Sequence, residues 1–231
     1  MNIYNEGTYL KSNANWHQED SPYKAKLVVG MLADLPPVKS ILEVGCGAGE
    51  ILKILSCHFP EIQFHGYDIS SDAARFWDEK NSQNLSYVCA NLLECDTHAD
   101  AVLCLDVFEH VQDYIGFLQK LKSHGSYFIF NIPMDMCVMK LLTSGLKYAR
   151  EEVGHLHYFN EWSAKATLAD CGYVIEAAKL SPAFLQIPPR NFRQYLAVVP
   201  RIAAHFLLGS RLACKFMGGY SLIVRAKAVK H

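Results

Sequence analysis

Three closely spaced glycines, in Ser40-Ile-Leu-Glu-Val-Gly-Cys-Gly-Ala-Gly-Glu50, are suited to hold a nucleotide. The apolar residues before them are typical of a strand covered on both faces, and Ile51 to Leu55 have helical spacing. Glycine leaves the backbone of a turn bare, and the N–H groups and dipole at the start of a helix attract an anionic group. We therefore predict a nucleotide-binding turn at Gly45, Gly47 and Gly49.

A carboxylate at the end of the next predicted strand suits a nucleotide ribose. The segment Phe64-His-Gly-Tyr-Asp-Ile69 places Asp68 nineteen residues after Gly49. An acidic side chain there can accept hydrogen bonds from both ribose hydroxyls, as in dinucleotide sites. The alternative role of Asp68 is to cap a helix predicted over residues 71–80. The dinucleotide pattern G-x-G-x-x-G needs a third glycine where this chain has Glu50, which argues against NAD or FAD.

These motifs resemble the class I methyltransferases that use S-adenosylmethionine, in the small-molecule branch with a type 11/23-like domain. A further match is Leu103-Cys-Leu-Asp-Val-Phe-Glu-His-Val111, which is similar to the fourth motif of that family. The resemblance covers roughly residues 16–180 and the final strand. It implies an α/β fold, a Rossmann-like three-layer sandwich whose mostly parallel seven-stranded sheet has the order 3-2-1-4-5-7-6 with helices on both faces. It also implies S-adenosylmethionine as cofactor and S-adenosylhomocysteine as product.

The resemblance implies cofactor contacts at the positions that match the motifs of the family. In the family, the residue at Asn91 meets the adenine amino group, and the residue at Leu92 packs on the adenine ring. Asn91 replaces the commoner Asp, but an amide oxygen also accepts a hydrogen bond, and a turn residue is its alternative role. The stretch from Trp16 to Lys24 resembles an N-terminal segment that covers the cofactor in the family. Packing of this stretch on the protein surface is the alternative. The expected cofactor contacts are Glu43, Gly45, Cys46, Gly47, Gly49, Asp68, Ile69, Asn91, Leu92, Leu105, Asp106 and Val107.

Three histidines are the candidate catalytic residues. Methyl transfer from a sulfonium is an in-line displacement, and a hydroxyl acceptor also needs a base such as histidine, whose unperturbed pKa is about 6.5. His155 and His157 alternate in a segment that resembles a Gly-His segment bordering the acceptor pocket in the family, so an extended chain would present both to one side. His110, in the fourth motif, would face the transferred methyl. A structural role is the alternative for all three.

Apolar patterns supply the elements that would position these residues. Predicted strands cover residues 40–44, 62–67, 86–90, 100–105, 126–132, 173–180 and 220–224, and predicted helices cover 48–57, 71–80, 113–122 and 161–171. Their alternation indicates repeated βαβ units. We predict an N-terminal helical cap at residues 1–38 and a methyltransferase domain at residues 39–231. Insertions at 135–160 and 181–219 would form a substrate cover at the carboxyl edge of the sheet.

The composition is that of a globular α/β protein, with 231 residues, 51% hydrophobic and 19% charged. Eight cysteines are scattered without a C-x-x-C pair, so we predict neither disulfides nor a bound metal. The start lacks the basic and apolar regions of a secretory signal. No uninterrupted apolar run approaches the roughly 18 residues of a membrane span. We therefore predict a soluble, cytoplasmic protein.

Charge is distributed unevenly along the chain. Residues 1–180 hold 14 Lys+Arg against 23 Asp+Glu, and residues 181–231 hold 8 against none. The basic segment indicates an acidic acceptor or a membrane surface, while packing on the acidic body, on a partner subunit or as a pocket lid is the alternative. Peripheral membrane contact by the amphipathic stretch 189–217 is the less favoured of these. We predict no nucleic-acid partner, because no recognition motif is present, and the oligomeric state stays open.

Together these observations predict an S-adenosylmethionine-dependent methyltransferase that acts on oxygen, nitrogen or carbon of a small-molecule acceptor. Two alternatives are a protein that binds the cofactor without turnover and an NAD-dependent oxidoreductase. Glu50 and the motif from Asp106 to Val111 argue against the oxidoreductase.

Overall fold

A single seven-stranded sheet organises the computed structural model, which describes residues 18–187, 189 and 192–229. Its strands are β1 Ser40–Val44, β2 Gln63–Asp68, β3 Leu85–Cys89, β4 Ala99–Leu105, β5 Gly125–Pro133, β6 Tyr173–Ser181 and β7 Ser221–Ala228. The order is β3-β2-β1-β4-β5-β7-β6, and β7 alone is antiparallel to its neighbours β5 and β6. The predicted α/β class and strand order are therefore confirmed.

Helices cover both faces of the sheet because successive side chains of each buried strand point to opposite sides. The helices are α1 Ser21–Leu32, α2 Glu50–His58, α3 Ser71–Ala74, α4 Tyr114–Leu121, α5 Val138–Leu142, α6 Gly145–Tyr148, α7 Glu161–Asp170 and α8 Phe192–Met217. Ile41 joins a core with α1 and α2, whereas its neighbour Leu42 joins a second core with α4, α7 and α8. The two cores make the predicted three-layer arrangement.

The first helix is built into one of these cores. Ala25, Val28 and Leu32 of α1 are at most 8% exposed and pack in the same core as α2. The Arg225 side chain of β7 donates to the Met31 carbonyl at 3.0 Å, which ties α1 to the sheet. The division into a cap at residues 1–38 and a domain at residues 39–231 stays a prediction. Trp16 lies outside the described residues.

The helix predicted over residues 71–80 is shorter, since α3 ends at Ala74. The chain beyond it folds over the glycine turn instead. Trp77 is 5% exposed, and its indole N–H donates to the Gly47 carbonyl at 2.9 Å. The Lys80 ammonium also contacts the turn and the start of α2. These contacts with the turn replace the helical continuation that the sequence pattern predicted.

The last helix departs from the sequence-based expectation. The stretch Tyr195–Met217 of α8 is long and apolar enough to cross a membrane, and only 6% of the apolar 18-residue window within it is buried. The prediction that no such segment exists counted uninterrupted apolar runs, and this stretch contains Arg201 and Arg211. The helix is also broken at Gly209, whose φ of 76° and ψ of 163° are not helical.

Candidate active site

A cavity of about 1120 Å³ opens at the carboxyl ends of β1, β2, β4 and β5. Open α/β sheets bind their ligands at this edge. Pockets of about 300–1,000 Å³ hold a drug-sized ligand, so this cavity has room for a nucleoside cofactor and a small second molecule. Its wall also includes residues 150, 153–157, 183 and 187, which belong to the two segments predicted to cover the substrate.

Most of the predicted site residues lie together around this cavity. They are Glu43, Gly45, Cys46, Gly47, Gly49, Asp68, Ile69, Leu105, Asp106, Val107, His110, His155 and His157. Asn91 and Leu92 do not line it. The Asn91 side chain accepts from the Leu93 N–H at 3.2 Å and donates to Glu94 at 2.8 Å, and Leu92 is buried in the core. Asn91 therefore acts as the turn residue that was its alternative, and the adenine contact of both residues stays a prediction.

The glycine turn is packed so closely that two of its positions admit only glycine. Gly45 and Gly49 have φ values of 67° and 77°, in the left-handed region. A Cβ at Gly45 would lie 2.7 Å from Val107, and one at Gly49 would lie 2.5 Å from the Tyr87 ring. Because these glycines lack side chains, the turn can approach Tyr87 of β3 and Val107 beyond the end of β4.

Asp68 fixes the turn to the end of β2. Its two carboxylate oxygens accept backbone N–H groups from Gly47 and Ser70, each at 2.8 Å. Burial raises the pKa of Asp68, and these two hydrogen bonds act in the opposite direction. Each carboxylate oxygen keeps further lone-pair capacity. The predicted ribose contact is therefore compatible with the observed bonds and stays a prediction.

Two buried carboxyl groups beside the turn and at the end of β4 lack hydrogen-bond partners among the described residues. They are Oε2 of Glu43, a residue 2% exposed, and both carboxyl oxygens of Glu109, which is fully buried. Burial raises the pKa of Glu43 to about 8. Burial, followed by the charge of Asp106, raises the pKa of Glu109 well above its usual range. Burial therefore favours the protonated form of both groups.

Asp106 carries the charge at the end of β4. Its carboxylate accepts from the Asn131 amide at 2.7 Å and pairs with the Lys24 ammonium at 2.6 Å. Burial alone would lower the pKa of Lys24, but the charge and hydrogen bond of Asp106 raise it overall. Asp106 has a φ of 56°, a strained value for a non-glycine residue of the kind found at functional sites. Lys24, which belongs to the N-terminal segment predicted to cover the cofactor, lines the cavity.

His155 is held by a carboxylate that sequence reasoning missed. Its Nδ1 is hydrogen-bonded to Asp135, which also pairs with Lys140. Burial alone would raise the pKa of Asp135, but the hydrogen bond from His155 and the charge of Lys140 lower it overall. An ionised Asp135 fixes the Nδ1–H tautomer and leaves Nε2 to accept a proton. The available signal was an acidic residue three positions beyond the predicted end of β5 at residue 132.

The other two histidines are less suited to take a proton. His110 donates from Nδ1 to the Gly154 carbonyl at 3.0 Å, and its ring lies 4.8 Å from that of His155. Burial, and then the neighbouring His155, lower the pKa of His110 to about 4. His157 uses Nε2 to contact the Val111 carbonyl at 2.9 Å. His155 is thereby singled out as the base candidate.

The histidine segment is fixed to the end of β4 by the main chain. The N–H groups of Leu156 and His157 both donate to the Glu109 carbonyl, at 2.8 and 3.1 Å. This joint places His155 beside the fourth motif.

One group of side chains at this joint has donor atoms suited to a metal. Potential ligand atoms of Glu109, His110 and His155 all lie within 4.8 Å of one another. Two histidines and a carboxylate occur together in catalytic zinc sites, where the remaining position is open to water or substrate. The absence of a metal, expected from the sequence, stays a prediction.

The strand order, the glycine turn beneath the cavity and the motif at the end of β4 define the class of protein: a class I S-adenosylmethionine-dependent methyltransferase. Residues 16–178 match the model of the family described as a methyltransferase domain, and the chain belongs to this family.

Named relatives support the same class over parts of the chain. Ubiquinone biosynthesis O-methyltransferase of Rickettsia prowazekii (strain Madrid E) is 33% identical over 87 residues, which are 36% of this chain and 34% of that protein. (S)-Coclaurine N-methyltransferase of Thalictrum flavum subsp. glaucum is 26% identical over 129 residues, 51% of this chain and 36% of that protein. The matched stretches thus span only about a third of the length of these curated relatives.

A solved structure shows that the fold is shared over nearly the whole chain. Magnesium protoporphyrin IX methyltransferase from Synechocystis PCC 6803, solved with bound S-adenosylhomocysteine, has a TM-score of 0.58 and 18% identity. The match covers 92% of this chain and 83% of that one.

Proposed function

We propose that this protein transfers a methyl group from S-adenosylmethionine to an oxygen or nitrogen atom of a small-molecule acceptor, with His155 as the base. One observation carries the proposal. The same cavity is lined by the glycine turn with Asp68, which suits the cofactor, and by His155, which Asp135 orients for proton transfer. An O-methyltransferase and an N-methyltransferase among the relatives support these acceptor atoms over carbon.

The charge of the cavity favours this cofactor. Among the side chains that line it, four carry carboxyl groups besides Glu43, whose pKa is raised to about 8, and two are Lys or Arg. A cavity of this kind attracts cations, and S-adenosylmethionine bears a sulfonium and an ammonium group. We infer that the backbone of Gly45 to Gly49 would hold the methionine part and that Asp68 would accept the ribose hydroxyls. Lys24 keeps Asp106 in place at the end of β4.

The residues of the chain perform the proton chemistry. The bound cofactor supplies an activated methyl group on its sulfonium. His155 would remove the proton of an acceptor hydroxyl at Nε2 as the oxygen attacks that methyl group. Asp135 would stabilise the imidazolium through Nδ1 without taking the proton itself. The rigid joint between β4 and the histidine segment would align the acceptor with the cofactor, which is the main requirement of an in-line displacement.

Two finer features belong to the proposal. Arg150 lines the cavity and would favour an acidic acceptor. The cytoplasmic location rests on the sequence alone and stays a prediction.

Calorimetric titration with S-adenosylmethionine, S-adenosylhomocysteine and NAD in parallel tests the cofactor. We expect micromolar binding of the two sulfur ligands and none of NAD. Binding of NAD alone would overturn the proposal and restore the oxidoreductase alternative.

Turnover needs a separate test, because a protein that only binds the cofactor would give the same titration. Hydroxyl and amine acceptors are screened with methyl-labelled cofactor, in EDTA and with added Mg²⁺ or Zn²⁺. We expect a labelled product in EDTA. Product only with added metal would assign a metal to Glu109, His110 and His155, and no product under any condition would favour the binding protein.

A further inference from the structure

The solvent-facing side of α8 is apolar along most of its length. Phe206 and Leu207 are 74% and 83% exposed, and Leu196 shares this side because it lies ten and eleven residues before them, about three helical turns. Beyond the break at Gly209, Phe216 is 49% exposed. Apolar side chains of a helix normally face the core, so this arrangement marks an interaction surface.

A second helix extends this surface. α5 packs against α8, and its Leu141 and Leu142 are 60% and 79% exposed. We call the surface formed by Leu141, Leu142, Leu196, Phe206, Leu207 and Phe216 the apolar ridge. Trp162, which is 77% exposed, lies next to Glu161, whose carboxylate is 3.7 Å from Arg211 of α8. Exposed Trp is typical of the boundary between a membrane and water.

Basic side chains predominate in the segments that carry the apolar ridge. Residues 136–150 contain Lys140, Lys147 and Arg150 but no Asp or Glu. Residues 181–231 contain 8 Lys+Arg and likewise no Asp or Glu. Arg211 and Lys215 are exposed and one helical turn apart on the second part of α8. Surface pairs such as the one between Arg211 and Glu161 are weak, so these cations can bind an external partner. The complementary partner is a surface that is both apolar and anionic.

The geometry of α8 argues for lying along a membrane and against crossing it. The break at Gly209 leaves a first arm of residues 192–208. At about 1.5 Å per residue this arm is roughly 25 Å long, shorter than the hydrocarbon core of about 30 Å. The helix is also tied to the domain, since Ala213 is fully buried and His205 contacts the Tyr220 hydroxyl at 2.9 Å.

We propose that the apolar ridge docks in the plane of a membrane that contains anionic phospholipids. The apolar side chains enter the boundary between headgroups and acyl chains, and the cations of α8 contact lipid phosphates. This reverses the order of the alternatives drawn from the sequence, in which membrane contact was the less favoured.

Segments that adjoin the helices of the apolar ridge in sequence line the cavity. α6 continues directly into the π-helix Ala149–Val153, and both Arg150 and Val153 line the cavity. Ala183 and Ile187, which precede α8, line it as well. An acceptor that reaches the cavity from this side would be an amphiphilic molecule taken from the lipid, an extension that rests on the proposed function.

Vesicle flotation of the full chain tests the docking. We expect binding to vesicles of mixed phosphatidylglycerol and phosphatidylcholine, and much weaker binding to phosphatidylcholine alone. The double variant Phe206→Glu with Leu207→Glu should bind the mixed vesicles at least about tenfold more weakly, because glutamate opposes both apolar and electrostatic attraction. The control Val174→Glu, at a 54% exposed position where β6 begins, should bind like the wild type.

Far-UV circular dichroism and calorimetry with S-adenosylhomocysteine accompany each variant. Unchanged values show that a loss of vesicle binding is not a loss of fold, and failure of the wild type to bind this ligand would count against the proposed function alone. Absence of vesicle binding by the folded wild type would overturn the docking, as would equal binding by the double variant. Resistance of the bound protein to alkaline carbonate would overturn its placement in the membrane plane. A stable dimer that the double variant dissociates, without vesicle binding, would assign the ridge to a second copy of the chain.

Discussion

The cavity and the apolar ridge have opposite charge and opposite exposure. Asp68, which lines the cavity, is 9% exposed, whereas Leu207 on the ridge is 83% exposed and accompanied by cations. The net charge of −1 for the whole chain conceals this contrast. The acidic cavity suits a small cationic ligand, and the basic, apolar ridge suits an anionic membrane surface. Substitutions should therefore affect cofactor use and membrane docking separately.

The largest effect is expected at His155. His155→Ala should lower kcat by roughly 10²–10⁴-fold, the usual contribution of a general base, and leave the Kd for S-adenosylhomocysteine and vesicle binding unchanged. The measurement is acceptor-dependent formation of labelled product. His98→Ala, at an exposed position outside the cavity lining, is the matched control. A variant that keeps wild-type kcat would show that proximity alone supports transfer.

Asp68→Ala should have the next largest effect and should also be confined to the cavity. Loss of hydrogen bonds from a charged group would weaken cofactor binding by roughly 1.5–3 kcal/mol. Calorimetry with S-adenosylmethionine measures this change, and Asp78→Ala, at an exposed position outside the cavity, provides the comparison. Unchanged affinity would mean that the ribose is held elsewhere.

Glu43 should make folding stability depend on pH. Its pKa is raised by burial from 4.5 to about 8, so between these values the folded state binds more protons than the unfolded state. The free energy of unfolding therefore falls as pH rises through this interval and levels off above it. From pH 6 to 8 this contribution is about 2 kcal/mol, since one pKa unit corresponds to about 1.4 kcal/mol.

Urea denaturation across this pH range measures the contribution of Glu43. The variant Glu43→Gln should lose this part of the pH dependence, whereas Glu61→Gln, at an exposed position, should retain it. Equal slopes for the wild type and Glu43→Gln would show that Glu43 ionises normally in the folded protein.

The smallest effect on folding, and the clearest separation of the two regions, is expected at Arg211. Its side chain is 79% exposed, so Arg211→Gln should change the free energy of unfolding by less than about 1 kcal/mol. Vesicle binding should fall roughly fivefold, the contribution of one cation near an anionic surface. Lys165→Gln removes the other cation that pairs with Glu161 and should weaken vesicle binding less. Equal losses of vesicle binding in both variants would mean that binding depends only on the overall charge of the protein.

Local patterns predicted the strands and the glycine turn well. A strand buried on both faces requires a run of apolar residues, and a left-handed backbone favours glycine, so both features are visible in the sequence. No local pattern predicted the pairs Lys24 with Asp106 and Asp135 with His155, because these partners are distant in sequence and only the fold brings them together. The length of α3 was overestimated for the same reason, as the contact of Trp77 with the turn is tertiary.

The exposure of α8 shows a different limit of sequence patterns. Helical spacing of apolar residues predicts a stripe, but it does not say which side of the helix packs on the core. Here the small residues Ala213 and Cys214 are buried, while Phe206 and Leu207 face outward. Apolar character alone therefore does not distinguish the two sides.

The joint at the Glu109 carbonyl has a consequence for how such an enzyme can change over generations. Because main-chain atoms make both of these hydrogen bonds, the side chain at position 156, which lines the cavity, is not needed to hold the two segments together. Mutation can alter the charge and shape of the acceptor side of the cavity there while the register between the two segments is retained. A substitution at this position would therefore change the acceptor side of the cavity without a change in the framework that supports it.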